Sequence, residues 1–449
     1  MVLICLALIN AGFLVFSWWF DLARPILNID YALALLLIAL GWRWAGGLLT
    51  VMFQLVDMLV LVAQVLPFPR VADLLYLLSF APMASASLLG LLAIALSLVA
   101  SKFVTFVWLG QKVTFKSGLL VFNLLLLMLY LGSIDGRQTG TTYRHAEGGI
   151  VASQTATFLS MRSDLFIEYY SGESPQLQQR SPGASGPWFD ELAHGQLAPR
   201  LLLVVVESWG APHDPAIQKA LLAPLQKLPL EFWEQGTLNI VGNTLDGELR
   251  ELCKLHSSRY NLTDIKEGFE GCLPNKLQKS GYATAAVHGA TGIMYDRHQW
   301  YPRVGFQQKT FFESRAWPRR CFSFPGACDQ DIAEEVETYF SADGTRFMYW
   351  LTLNSHTPYD RRDIHSAEGL DCQDFGVDTH LEVCRNLLLQ AQFFADFAKL
   401  LGTNAMAGVE VVVVSDHIPV IMNAQERQEH FTDGVIPWVR LATRPANAR

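Results

Sequence analysis

An α-helical membrane domain followed by an α/β/α domain with a mostly parallel sheet is the architecture this sequence predicts. Three observations predict it. The 449-residue chain is 51% hydrophobic and 17% charged, more apolar than an ordinary soluble protein of its length. The apolar runs crowd into residues 1–135, where charge is scarce. Beyond residue 199, short apolar strands alternate with stretches of helical periodicity, as successive βα units do.

Residues 1–135 divide into five apolar stretches near 3–20, 29–42, 47–66, 83–108 and 117–134, each close to the length that crosses a bilayer. Aromatic residues stand near several ends, in "SWWF", "GWRW" and "FVWLG", as they do at membrane interfaces. Further apolar stretches follow the first, so it reads as an anchor rather than a cleaved leader. Lys102, Lys112 and Lys116 flank the loop before the last stretch and assign that loop to the cytoplasm. The last span then delivers the remainder outside. Arg24 and Arg70, in loops of the opposite side, run against this bias.

Cysteine usage points the same way. Cys5 lies in the first stretch, and the other six form three near pairs, Cys253 and Cys272, Cys321 and Cys328, Cys372 and Cys384. An even set suggests disulfides in an oxidising compartment, with neighbour pairing only the simplest connectivity; six free thiols in a cytosolic domain is the alternative. No C-x-x-C pair suggests structural zinc. The net charge of −8, without a basic patch, argues against a nucleic-acid partner.

Residues 136–198 form a connection. A polar exit (136–150) leads to "IVASQTATFLSMRSDLFIEYY" (150–170). Its Phe158, Leu159, Leu165, Phe166 and Tyr169 recur at helical spacing, either on a membrane-surface helix or on one packed against the globular domain. A Ser-, Pro-, Gln- and Gly-rich linker (171–187) follows. In 199–449 the expected strands are 201–206, 237–241, 283–288, 347–353 and 409–415, with helices over 330–340 and 384–401. In such sheets ligands bind beyond the carboxyl ends of the strands.

Two strands end on chemistry. "LLLVVVESWG" (201–210) is apolar until Glu207, and "VEVVVVSDH" (409–417) ends on Asp416 and His417. Two carboxylates and an imidazole at one sheet edge suit zinc or manganese, although strand ends also carry polar residues for structural reasons. "TLNIV" (237–241) runs into "GNTLDGELRELC", where Thr244 opens a helix. A hydroxyl at a helix N-terminus beside a divalent cation becomes a nucleophile; alternatively Asn243 or Thr244 simply caps the helix.

Strand-Glu, strand-to-helix Thr and strand-Asp-His in this order resemble the alkaline phosphatase superfamily. Within it, the chain is similar to membrane-anchored, sulfatase-like transferases: lipoteichoic acid synthase, phosphoglycerol transferases and lipid A phosphoethanolamine transferases. The resemblance implies one divalent cation, zinc or else manganese or magnesium, held by Glu207, Thr244, Asp416 and His417, with Thr244 as nucleophile. "AVHGATGIMYDRHQWYPRVGFQQKTFF" (286–312) looks like the segment in which His-Gly precedes an aromatic-x-Arg, implying that His288, Tyr295 and Arg297 line a phosphate pocket. "LTLNSHTPYD" (351–360) is similar to the family's Asn-x-His-x-Pro element and points to His356, while His430 stands where phosphoethanolamine transferases keep a late histidine. Ala290 replaces an Asp, Tyr295 a Trp and Ile418 a Gly of the family pattern. The cysteines favour the phosphoethanolamine branch, and the His288–Arg297 stretch favours the phosphoglycerol branch.

The implied activity is transfer of a head group from phosphatidylethanolamine or phosphatidylglycerol, through a phospho-threonine, to a hydroxyl of a surface glycan or glycolipid. The implied location is a bacterial cytoplasmic membrane, crossed several times, with the catalytic domain on the periplasmic or extracytoplasmic face. Three alternatives compete. A sulfatase needs C-x-P-x-R, which "CLPNK" (272–276) approaches with Lys276 in place of Arg and away from Thr244. A serine hydrolase would need G-x-S-x-G, which "ESWG" lacks. An inactive head-group-binding sensor would not need the Thr, Glu, Asp and His that are all present.

Overall fold

The structure, a computed structural model of the chain, describes residues 1–19, 22, 24–65, 86–134, 150–159, 177–240, 242–257, 262–263, 265–366, 369–421 and 423–445. Its internal contacts divide it into two units, Met1–Glu173 and Ser174–Arg449.

Among the described residues the first unit holds five long helices, Val2–Trp19, Asp30–Ala39, Arg43–Val65, Ala86–Gly110 and Phe115–Ile134, built from runs of Leu, Ala, Ile and Val without an internal proline. One segment, Arg43–Leu61, is long and apolar enough to cross a membrane. Leu96–Gly110 and Phe115–Leu131, bent by 119° at a short break, add a second if taken as one span, and Val2–Trp18 and Asp30–Ala39 are shorter apolar helices. Large apolar side chains, among them Leu3, Val15, Trp18, Leu55 and Leu120, lie on the exterior. The interior holds a polar knot. Arg24 grips Asp57 with two prongs, Nε to Oδ1 at 2.9 Å and Nη2 to Oδ2 at 2.6 Å, both side chains 0% exposed. Asn10 Oδ1 accepts from Arg24 Nη2 at 2.8 Å, and Tyr31 donates to Asp57 at 3.0 Å. Arg24, which runs against the orientation bias, is therefore a neutralised charge; Arg70 lies outside the described residues.

Leu27–Asn28 pairs in parallel with Val151–Ala152, and Asp30 accepts from Ser153 Oγ and from the Thr155 amide and hydroxyl. Most of the 150–170 stretch, the exit 136–149 and linker residues 171–176 lie outside the described residues. The end of the linker is ordered, with Gln178–Gln179 paired antiparallel to Leu255–His256.

In the second unit the strands of the main sheet are β1 (Arg200–Val206), β2 (Leu230–Asn239), β3 (Ala283–His288), β4 (Gln308–Thr310), β5 (Arg346–Leu351), β6 (Glu410–Ser415) and β7 (Val435–Thr443). They form one sheet in the order β2-β7-β6-β1-β5-β3-β4. From β6 to β4 every pairing is parallel, whereas β7 runs antiparallel to both β6 and β2. The expected mostly parallel sheet is thus mixed at one edge, and β2 ends at Asn239 instead of running to 241.

Both faces of the sheet are covered, which is why β1 is apolar at every position after Arg200. Leu202, Val204 and Val206 face a core with α2 (Pro215–Gln226), α6 (Asp329–Ser341) and α7 (Glu382–Leu401). Leu201, Leu203 and Val205 face a second core with α1 (Gly186–Ala193), α3 (Thr244–Cys253), α4 (Leu273–Lys279) and α5 (Arg297–Val304). A last helix, α8 (Ala424–His430), precedes β7. The six cysteines pair as neighbours, Cys253–Cys272, Cys321–Cys328 and Cys372–Cys384, and Cys5 is free and buried.

Candidate active site

Strand register builds the site. β1 and β6 are adjacent and parallel with Val206 opposite Ser415, so the next residues, Glu207 and Asp416, emerge side by side at the carboxyl edge. Ligand atoms of Glu207, Asp416 and His417 all lie within 4.8 Å of one another, and the three residues are buried. His417 Nε2 stands 3.3 Å from Glu207 Oε1 and 3.3 Å from Asp416 Oδ2.

Thr244 completes the group from α3. Asn243 is the N-cap: its side chain accepts from the Asp246 amide at 3.2 Å while Asp246 accepts from the Asn243 amide at 3.3 Å, a reciprocal capping box. The Thr244 hydroxyl is thereby released from capping. It lies 3.4 Å from His417 Nε2. Gly247, one turn on, lets α3 approach the strand end: a Cβ there would stand 2.8 Å from Asp416 Cα. Arg250, two turns from the cap, donates to the carbonyls of Ser415 (2.7 Å) and Asp416 (3.2 Å).

The charges in this cluster act on one another. Burial pushes Asp416 up to about 7, and the charge on Glu207 adds to it. Burial opposes a charge on His417, yet the Asp416 and Glu207 carboxylates outweigh it and push His417 up to about 10. Burial would also raise Glu207, but His356 and His417 hold it below the usual carboxylate range. His417 Nδ1 donates to the Ile418 carbonyl at 2.8 Å, directing Nε2 at the carboxylates. Asp416 Oδ2 is buried without a hydrogen-bond partner. Oriented imidazole, paired carboxylates and an orphaned oxygen form a donor set that fits a divalent cation.

A supporting layer fixes these groups. Ser208, with φ at 55°, donates from its amide to Asp416 Oδ1 and from its hydroxyl to Glu207 Oε1, each at 2.9 Å. Asn386 and Gln390 of α7 hold the carbonyls of Ser208 and Glu207 at 3.1 and 2.9 Å. Their spacing of four within "CRNLLLQAQFF" was a readable signal, two amides on one face among the apolar residues of the helix.

The expected phosphate-pocket residues come from two elements. His288 ends β3, opposite Leu351, and donates from Nδ1 to the Leu351 carbonyl at 3.0 Å. Burial and then the nearby Arg297 charge push it down to about 3, so the ring is neutral. Tyr295 and Asp296 have φ of 54° and 56°, a strained turn into α5. Arg297 is committed to Glu248 on α3, through Nε at 3.1 Å and Nη2 at 2.9 Å, with both side chains buried. Glu248 also accepts from the Tyr301 and Tyr349 hydroxyls. Arg297 Nη1 is the nitrogen Glu248 does not engage, and the guanidinium carbon stands 4.9 Å from the centre of the Tyr295 ring.

His356 follows β5 and sits close enough to Glu207 to lower its pKa; its Nδ1 donates to the Thr357 carbonyl at 2.6 Å. The loop is clasped to α6: Asp329 accepts from the Leu353 and Asn354 amides at 3.0 and 2.8 Å. His430 is the last residue of α8, and its carbonyl accepts from the His213 amide at 2.9 Å. Among the described residues no side-chain bond joins His430 to the Thr244 cluster.

The chain is similar to several solved structures. One is the lipoteichoic acid synthase LtaP from Listeria monocytogenes, with a TM-score of 0.42 and 14% identity over 56% of this chain and 66% of that one. The Streptococcus pyogenes phosphoglycerol transferase GacH in complex with sn-glycerol-1-phosphate gives 0.40 and 13%, over 59% of this chain and 77% of that one. The zinc complex of the C-terminal periplasmic domain of EcEptC from Escherichia coli gives 0.37 and 13%, over 56% and 75%. This chain thus spans just under two thirds of the LtaP chain. No curated protein matches. The model of the Sulfatase family matches residues 231–434, a range that holds Thr244, Asp416 and His417 but not Glu207.

Proposed function

We propose that this chain transfers the head group of a membrane phospholipid, phosphoethanolamine or phosphoglycerol, to a hydroxyl of a cell-surface glycan or glycolipid. The observation that carries the reading is the Thr244 hydroxyl, freed from capping by Asn243 and set 3.4 Å from His417 Nε2 beside two buried carboxylates. The match to the Sulfatase family model and the apolar helical unit support it.

Glu207, Asp416 and His417, with Thr244, would hold a divalent cation, zinc or else manganese or magnesium, which when bound lowers the pKa of a ligated hydroxyl and neutralises phosphoryl oxygens. Thr244 Oγ1 attacks phosphorus, and the bond from phosphorus to the diacylglycerol oxygen breaks as the new bond forms. The Thr244 proton passes by way of His356 to the departing alkoxide. The acceptor oxygen then attacks phosphorus as the bond to Thr244 Oγ1 breaks, and the acceptor's proton passes by way of His356 or His430 to Thr244 Oγ1, restoring the hydroxyl. Arg297, braced by Glu248, offers Nη1 to a phosphate oxygen. His288, neutral with its Nδ1 proton spent on Leu351, presents Nε2 as an acceptor, suited to a head-group or acceptor hydroxyl rather than to phosphate. On this reading the helical unit crosses a bacterial cytoplasmic membrane several times and the disulfide-bonded unit works outside it.

The sulfatase alternative loses its nucleophile, because Cys272 is bonded to Cys253 and is not available for oxidation to formylglycine. The direct test is diacylglycerol release from phosphatidylglycerol or phosphatidylethanolamine by the purified chain. Release should be chelator-sensitive and absent from Thr244→Ala; full release by that variant would rule out the mechanism.

A further inference from the structure

A proton carrier has to present one nitrogen in one direction. The Nδ1 of His356 donates to the Thr357 carbonyl at 2.6 Å, which leaves Nε2 as the basic nitrogen of the neutral ring. That bond alone does not orient the imidazole, because χ2 of histidine is a broad torsion without sharp staggered wells. A second contact does. The ring of Phe324 lies against that of His356, with centroids 4.5 Å apart and planes inclined at 56°.

Phe324 is 8% exposed, yet among the described residues it belongs to neither core of the second unit. It stands in the turn (322–325) of a small hairpin, in which Arg320–Cys321 pairs antiparallel with Gly326–Ala327 and Cys321 is bonded to Cys328. Bonds that do not involve the Phe324 ring hold this hairpin. The Asp363 carboxylate accepts from the Phe322 and Ser323 amides at 2.8 and 2.5 Å, and Ser323 Oγ accepts from the Asp360 amide at 2.9 Å. The Ala327 amide donates to the carbonyl of Gly289, the residue after His288, at 2.9 Å. Two glycines permit that approach: a Cβ on Gly289 would stand 2.5 Å from the Ala327 oxygen, and one on Gly326 would stand 2.5 Å from the Gly289 oxygen. The hairpin is thus seated on both the loop that carries His356 and the end of β3, and its turn brings to the imidazole a ring that neither core uses.

We infer that Phe324 is a positioning residue for His356: its ring and the Nδ1 bond together fix the imidazole so that Nε2 is presented to the reacting oxygens. The inference rests on the reading that His356 carries protons in head-group transfer.

The test is a double-mutant cycle on diacylglycerol release by the full chain, with phosphatidylglycerol or phosphatidylethanolamine as donor. Phe324→Ala should lower kcat about 10- to 100-fold, the scale of a misplaced proton carrier, with KM changed by less than about twofold. Phe324→Tyr, which keeps the ring, should hold kcat within about threefold of the parent, whereas Phe324→Leu, which keeps much of the volume, should not. In a His356→Gln background Phe324→Ala should cost nothing further. An undiminished kcat in Phe324→Ala, equal rates in the Leu and Tyr variants, or a loss fully additive with that of His356→Gln would overturn the inference. The contact is also readable without the chemistry. In protein carrying isotope-labelled histidine, the His356 Cε1–H resonance, identified by its loss in His356→Gln, should move in Phe324→Leu as the ring current disappears; an unmoved resonance would equally overturn the inference. If His356→Gln itself releases diacylglycerol at the parent's rate, the proton route through His356 falls and the inference with it. A slow His356→Gln beside an undiminished Phe324→Ala removes the inference alone and leaves the transfer reading standing.

Discussion

At the scale of residues, the site depends on close approach and on committed protons. Gly247 is the tightest point, where α3 meets the backbone of Asp416. Gly247→Ala should push the helix and Thr244 off the strand end, costing about 1–3 kcal/mol of stability and most of the activity. Thermal unfolding and diacylglycerol release would check it; an active, equally stable variant would show that this contact does not position Thr244. His288 gives a pH signature. Its folded pKa, near 3, lies below the ordinary histidine value, so between pH 6.5 and 3 the unfolded chain takes up a proton that the folded one refuses. Stability should therefore fall with falling pH across that window, by up to about 1.4 kcal/mol per unit. Urea unfolding of His288→Asn should show a shallower decline. Glu207, Asp416 and His417 were legible because each ends a strand buried on both faces. Thr244 was legible as a hydroxyl opening a helix, either a nucleophile or, with Asn243, one of two capping candidates, and the choice of Asn243 as the cap needed the reciprocal bond to Asp246. His288 was legible as a site residue but not in its protonation, which is set by its burial and by the charge on Arg297.

At the scale of elements, α3 joins the nucleophile to the substrate pocket. Thr244 opens the helix, and Glu248, one turn later, pins Arg297 of α5. Glu248→Gln would leave a buried guanidinium uncompensated, a loss of roughly 3–5 kcal/mol. Replacing both partners, as in Glu248→Leu with Arg297→Met, should recover much of that stability and none of the activity; recovered activity would show that Arg297 takes no part in the chemistry. The disulfide Cys253–Cys272 ties the end of α3 to the start of α4. Reductant should lower the melting temperature of the second unit, by an amount consistent with about 2–4 kcal/mol per bond; an unchanged transition with six titratable thiols would contradict the pairing. Strands β1, β5 and β6 were readable from uninterrupted apolar runs, and β3 from a short, largely apolar one. β7 was not, because Pro437 and Arg440 interrupt it and an antiparallel strand beside the sheet's edge tolerates both. β2 was misplaced because its exposed edge position gives it a mixed, largely polar sequence. The Glu248–Arg297 pair was invisible, since it joins helices 49 residues apart in sequence.

At the scale of the whole molecule, an apolar helical unit and a disulfide-bonded α/β unit lie on one chain. That combination suits an enzyme whose donor is a membrane lipid, because tethering raises the effective concentration of donor at the site. The helical unit was legible from hydropathy alone, but its Arg24–Asp57 knot was not, as it closes between residues 33 apart. The central claim is that Thr244 carries the phospho-head-group. The measurement that tests it most directly is mass spectrometry of the Thr244 peptide after incubation with phosphatidylglycerol or phosphatidylethanolamine and no acceptor. The account predicts a phosphoglycerol or phosphoethanolamine adduct on Thr244, formed along with diacylglycerol. An unmodified Thr244 peptide, together with undiminished diacylglycerol release from Thr244→Ala, would contradict it.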